Sequence, residues 1–125
     1  MSRVVLVMGF VCLAAGIARA QDPVKVDAKH YKVEFENARV RVLRVQYGPH
    51  EKSVMHAHPA GVVVFVNDQE GRFTLPGGKT EDRRAKAGEV RWAPAETHLP
   101  ENLSDKPLEV ILVELKGKAS AGRAK

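Results

Sequence analysis

The sequence predicts an all-β fold, an antiparallel β-barrel or jelly roll, and three observations carry that expectation. Short runs rich in Val, Ile, Tyr and Phe recur from about residue 30 to residue 115, separated by Gly, Pro, Asn and Asp. Past residue 20 no stretch repeats its apolar residues with convincing helical spacing. The runs follow one another at near-regular intervals with no helix between them, the pattern of a sandwich or barrel.

The 125 residues suit one domain, preceded by a leader. Arg3 gives residues 1–20 a basic start, "VVLVMGFVCLAAGI" is an apolar stretch, and Ala18-Arg19-Ala20 has the small-x-small pattern of a signal-peptidase site. Cleavage is expected after Ala20, giving a secreted or periplasmic protein with no stable membrane insertion. The apolar stretch is shorter than the roughly 20 residues of a spanning helix. No lipobox-like small residues directly precede Cys12, which argues against a lipid anchor. Cys12 is the single cysteine, so the mature chain can neither form disulfides nor use thiol catalysis, and a hydrophobic core must hold it.

The elements are expected in this order. "QDPVKVDAK" (21–29) is a lead-in arm and "HYKVEF" an alternating strand, so residues 21–36 form the arm and first strand. The barrel proper is expected over 37–116. In "RVRVLRVQY" the apolar parity switches from Val40 and Val42 to Leu43, Val45 and Tyr47, which implies a bulge or burial on both faces. "GVVVFV" (61–66) is a continuous β-branched run expected to be covered on both sides. "NDQEG" (67–71) reads as a turn before the strand "RFTL", and "PGGK" (76–79) as a hairpin tip. "GEVRWAP" and "PLEVILVEL" supply two further strands, and the small, polar tail 117–125 is expected to fray.

Several chemistries are excluded. The formal net charge of +5 includes Arg3 and Arg19 of the leader, and the remaining basic residues are scattered among apolar and acidic ones. That describes a solvated strand face rather than a nucleic-acid surface. "GGKT" lacks the first glycine of a phosphate loop and precedes no helix. Ser53, Ser104 and Ser120 lack a nucleophile-elbow setting. There is no dinucleotide-binding glycine pattern and no paired-carboxylate signal.

His56 and His58 carry the sharpest signal. Residues i and i+2 of a strand share a face, so both imidazoles aim the same way. His98, in "GEVRWAPAETHLPEN", is the third candidate. Three imidazoles on a rigid sheet suit a divalent transition metal (Fe, Mn, Zn, Ni or Cu) and leave coordination positions open. His50 and His30 are expected to lie apart, His30 in the arm without a partner. Asn102 can either orient the imidazoles or close an Asx turn. Trp92, Phe65 and Phe73 can line a cavity or pack the core. Arg44 is either an anion-binding group facing inward or a snorkelling edge residue.

These residues resemble the two motifs of a small single-domain cupin of the exported bacterial type. In the family's first motif a Gly precedes His-x-His, then Glu, then Gly; Gly48, His56, His58 and Gly71 correspond, with a longer gap after Gly48. In the second, Gly88, Pro94, His98 and Asn102 correspond, one residue is missing between Pro94 and His98, and Glu96 stands where the family has Gly. The resemblance spans about Val40 to Leu115. It implies a barrel with one metal held inside, a small-molecule ligand and a possible homodimer, for which the edges of "GVVVFV" or "EVILVEL" could serve. The family's metal-binding Glu falls at Val62 or Val63, so the usual three-His, one-Glu set is incomplete. Either His56, His58 and His98 hold the metal alone, as in three-His dioxygenases, or the pocket has lost it. Glu101 is the one candidate for a displaced fourth ligand, if Pro100 bends the chain. The expected function is a metal-dependent oxidoreductase, dioxygenase-like, acting on a small polar molecule; the alternative is a non-catalytic ligand- or metal-binding protein of the cell envelope.

Overall fold

A computed structural model of the chain describes residues 21–117; the expected leader, with Cys12, and the tail from residue 118 lie outside the described residues. Nine strands follow a four-residue helix: α1 (Pro23–Val26), β1 (Tyr31–Glu36), β2 (Val40–Tyr47), β3 (His56–His58), β4 (Gly61–Phe65), β5 (Gln69–Thr74), β6 (Thr80–Ala85), β7 (Val90–Ala93), β8 (Glu96–Asn102) and β9 (Leu108–Leu115). They form a five-stranded sheet in the order β1-β2-β9-β4-β7 and a four-stranded sheet in the order β3-β8-β5-β6. Every pairing between strands is antiparallel, as the all-β reading required.

The core lies between the sheets and is centred on Tyr31, Leu43, Val45, Tyr47 and Leu112. Its residues follow from strand parity. In β2, Arg41, Leu43, Val45 and Tyr47 share the inner face, and Val42 lies on the outer one, 8% exposed. The parity switch therefore marks a strand buried along its inner face and, on the outer face, at Val42 alone. The bulge itself is in β1, where the register slips between Val33 and Phe35. In β9, Val110, Leu112 and Glu114 face inward opposite Val45, Leu43 and Arg41. Gly61 lets β4 approach β9: a Cβ there would lie 2.1 Å from the Val113 carbonyl oxygen.

Several expectations change. The arm contains α1, capped by Asp22, whose carboxylate accepts from the Val24 backbone N–H at 3.0 Å, with Pro23 starting the helix. Gln69–Gly71 belong to β5, not to a turn. β6, "TEDRRA", carries no apolar alternation because most of it is exposed. β4 is half-buried rather than covered on both sides. Neither β4 nor β9 has a free edge, since β4 pairs with β7 and β9, and β9 with β2 and β4; a homodimer cannot use those edges. The outer face of this sheet carries an apolar row across all five strands, Phe35, Val42, Val113, Val62 and Trp92. "PGGK" is a hairpin tip, with Gly77 and Gly78 both at positive φ.

Candidate metal centre

The site begins with register. β3 and β8 pair so that His56 lies directly opposite His98 and His58 opposite Glu96. His56 and His58 share a face by the two-residue period, and the pairing puts His98 on that same face. The Nε2 atoms of His56 and His58 are 3.0 Å apart. The His98 ring centroid lies 5.1 Å from that of His56 and 5.3 Å from that of His58. One ligand atom from each of the three rings fits within a mutual distance of 4.8 Å. His56 is fully buried and His98 is 7% exposed.

The opposite nitrogens fix the tautomers. His56 Nδ1 lies 2.8 Å from the Val54 carbonyl oxygen, which can only accept, so Nδ1 carries the proton. His58 Nδ1 lies 2.7 Å from Glu114 Oε2. His98 Nδ1 lies 3.1 Å from Glu96 Oε2. With each Nδ1–H donating outward, three Nε2 lone pairs face one another. Burial, then the neighbouring His58, holds the His56 pKa down to about 4. Burial, then His58 and His56, holds His98 down to about 2. His56 and His98 are thus neutral bases at neutral pH, as metal ligands must be.

Two observations show that these residues suit a cation. His98 Nε2 is buried without a hydrogen-bond partner, an arrangement that costs free energy unless something accepts its lone pair. The paired lone pairs of His56 and His58 repel at 3.0 Å unless a proton or a cation lies between them. The Tyr31 hydroxyl is the other group at hand, 3.1 Å from His56 Nε2 and 2.7 Å from the Tyr47 hydroxyl. Burial raises the Tyr31 pKa well above its usual value, so the phenol stays protonated.

Two carboxylates support the rings, and each is held by an arginine. Glu114 Oε1 accepts from Arg41 Nε at 2.7 Å, and Arg41 in turn holds Asp22 at 2.7 and 3.0 Å. Burial pushes the Glu114 pKa up, but the bonds to His58 and Arg41 outweigh it and leave it lowered. On the other side, Glu96 Oε1 accepts from Arg83 Nη2 at 3.0 Å, which also holds Glu81. Such carboxylate–histidine pairs orient the ring and raise its basicity.

Sequence reasoning missed Glu114, Arg41, Tyr31 and Tyr47. Strand parity could have found the first two, because each is a charged residue on the inner face of an otherwise apolar strand. Glu96, noted only as a departure from the motif, is the partner of His98.

The remaining candidates separate from the three rings. Glu101 alternates to the face opposite His98, because β8 runs unbroken through Pro100; among the described residues the metal-competent group contains the three histidines alone. Asn102 ends β8 and its side chain closes the turn that follows. Its Nδ2 donates to the carbonyls of Gly48 (3.0 Å) and Lys106 (2.7 Å), and its Oδ1 accepts from the Ser104 backbone N–H (3.0 Å). Arg44 lies on the outer face, bound to Glu34 and Glu109, so it is no anion site of the pocket. Val63 faces inward and Val62 outward. His50 pairs with Asp105 at the surface. His30, expected to lack a partner, is buried, bonded to Asp27 and Glu51 and stacked on Tyr47 at 4.3 Å.

His58 and His98 form part of the wall of a cavity of about 170 Å³ between the sheets. Phe65 and Phe73 line it; Trp92 borders it but is 60% exposed.

Comparison with solved structures places this geometry in a known fold. A cupin domain from Bordetella pertussis is similar over 70% of this chain and 92% of its own, with 24% identity and a TM-score of 0.65. A Klebsiella pneumoniae protein with a double-stranded β-helix domain matches over 71% of this chain and 77% of its own, at 22% identity and a TM-score of 0.56. An RmlC-like cupin from Methanocaldococcus jannaschii matches over 78% and 90%, at 19% identity and a TM-score of 0.55. No family model and no curated protein matches the sequence. The fold of the described residues is that of a cupin domain, a double-stranded β-helix, and its three clustered histidines are positioned as a possible metal site.

Proposed function

We propose that His56, His58 and His98 hold one divalent transition metal (Fe, Mn, Zn, Ni or Cu) and that the protein is an exported, metal-dependent oxidoreductase of the dioxygenase type acting on a small molecule. The observation that carries the metal reading is the convergence of three Nε2 atoms whose Nδ1 partners are all fixed, with His98 Nε2 left unsatisfied. A bound ion would supply Lewis acidity, and with Fe, Mn or Cu electron transfer, at positions that three protein ligands leave open.

The chain's own groups would do the rest. Glu114 and Glu96 hold the rings in their tautomers. The Tyr31 hydroxyl, bonded to the Tyr47 hydroxyl, stands beside the cluster 3.1 Å from His56 Nε2. Residues 1–20 support export, and no helix among the described residues is long and apolar enough to cross a membrane.

One observation favours a second reading, a non-catalytic ligand- or metal-binding protein. Glu114 and Glu96 both commit their two oxygens to a histidine and an arginine, so neither is free as a general base.

The experiment is metal analysis of protein made through its own export route, followed by oxygen uptake with small thiols, diketones and phenols. One equivalent of metal with substrate-dependent oxygen uptake is expected. Stoichiometric metal with no turnover across the panel would favour the binder, and failure to take up any of the five metals would overturn the metal reading and leave a metal-free ligand pocket.

A further inference from the structure

The cavity beside the three rings carries an inference about the ligand. Its wall is mostly apolar, built by Val63, Phe65, Phe73, Val110 and Leu112 from both sheets. The polar groups on it are unevenly placed. His58 and His98 lie at one end, with the Tyr31 and Tyr47 side chains next to them.

Elsewhere the arginines that border the cavity are already paired, Arg84 with Glu70, and the Glu101 carboxylate adds negative charge to the border. Arg83 lies over the Phe73 ring at 4.4 Å and pairs with Glu81 and Glu96. Arg91 lies over the Phe65 ring at 4.9 Å and pairs with Glu89. Gln69 donates to Asn67 and to the Glu109 carbonyl. An anionic or polyhydroxylated ligand would have to break these pairs or leave its own groups without partners.

We infer that the cavity takes a small uncharged compound with an apolar, ring-sized body and a single oxygen donor, of the monocyclic phenol class, its oxygen turned toward the histidine end. The small polar molecule expected from sequence does not match this wall. The size agrees: an apolar protein cavity of about 150 Å³ holds benzene, and this one measures about 170 Å³. The inference rests on the metal reading only for the direction of the oxygen; the apolar body is set by the wall.

Methyl-resolved carbon-13 spectra of the full mature protein, metal-free and zinc-loaded, test it with four probes: phenol, toluene, benzoate and erythritol. Phenol and toluene are expected to shift the methyl resonances of Val63, Val110 and Leu112 saturably in both forms. Phenol should bind at least about tenfold more tightly than erythritol, the effect of desolvating a ring against desolvating hydroxyls, and should gain affinity on zinc loading where toluene does not. Benzoate should bind more weakly than phenol.

Val110→Phe, which fills the cavity, should abolish the shifts; Ala85→Leu is a milder second variant, each checked for folding by its thermal melt. Saturable shifts from erythritol or benzoate alone, or a phenol response that persists in both folded variants, would overturn the inference. Protein that binds phenol but no zinc would support the cavity assignment while sinking the metal reading. Protein that binds zinc but not phenol or toluene would do the reverse.

Discussion

His58 and His98 are supported by the same three-part chain, imidazole to carboxylate to guanidinium, in two different settings. In the His58 chain, Glu114 is 2% exposed and Arg41 is 16% exposed. In the His98 chain, Glu96 and Arg83 are 21% and 41% exposed. One chain crosses from His58 on the four-stranded sheet to Glu114 and Arg41 on the five-stranded sheet and ends on Asp22 in the arm; the other stays within the four-stranded sheet, from β8 to β6, and ends on Glu81. The difference teaches that one hydrogen-bond pattern can be a structural commitment in one place and an adjustable support in the other. A buried charge that loses its partner has no water to replace it, whereas an exposed one does.

Replacement of the two carboxylates should break the symmetry most sharply. Glu114→Gln keeps the shape but takes the buried carboxylate from both His58 and Arg41, leaving Arg41 with Asp22 alone, and should lower stability by about 3 kcal/mol in urea denaturation. It should also weaken metal binding by roughly 10–100-fold. Glu96→Gln should cost less than about 1 kcal/mol and weaken metal binding by less than about tenfold. Equal losses in both variants would show that burial does not distinguish the two chains.

Acid should act next. His56 and His98 have folded pKa values of about 4 and about 2, below the ordinary value near 6.5. Between those values the unfolded chain binds the extra protons. Metal-free protein should therefore keep its full stability above about pH 6.5 and lose it as the pH falls, by up to roughly 1.4 kcal/mol per pH unit for each ring. The loss from His56 should level off near pH 4, and that from His98 should continue below it. A melting temperature independent of pH between 6.5 and 4 would contradict the placement of these rings.

Salt should give the smallest effect and sharpen the same contrast. Raising the ionic strength to 1 M shortens the screening length to about 3 Å. The small stability loss of Glu96→Gln should shrink further there, while the loss of Glu114→Gln should hold, as read from denaturation midpoints at both salt levels.

What the sequence made legible follows the same division. His56 and His58 were readable because a two-residue spacing on a strand determines a shared face whatever the rest of the fold does. The elements richest in β-branched residues, β2, β4 and β9, were readable for the same local reason. β6 was not, because an exposed strand of Thr, Glu, Asp and Arg has no hydrophobic period to betray it. Glu114 and Arg41 were hidden because their meaning comes from register: they lie opposite one another only once β2 and β9 pair. Tyr31 and His30 were hidden because nothing local shows that the arm folds back under the site. The motif Glu was missed at Val62 and Val63 and looked for at Glu101. A carboxylate does stand by the centre, but on β9, where it supports a ring and does not face the cluster.

The central claim is that three imidazole Nε2 atoms meet at one cation, and titration of the mature protein with cobalt(II) or zinc(II) tests it most directly. The account predicts a single site per chain, with affinity reduced at least about 100-fold in His98→Ala, the ligand most distant in sequence from the other two. No binding by the wild-type protein, or undiminished one-to-one binding by His98→Ala, would contradict it.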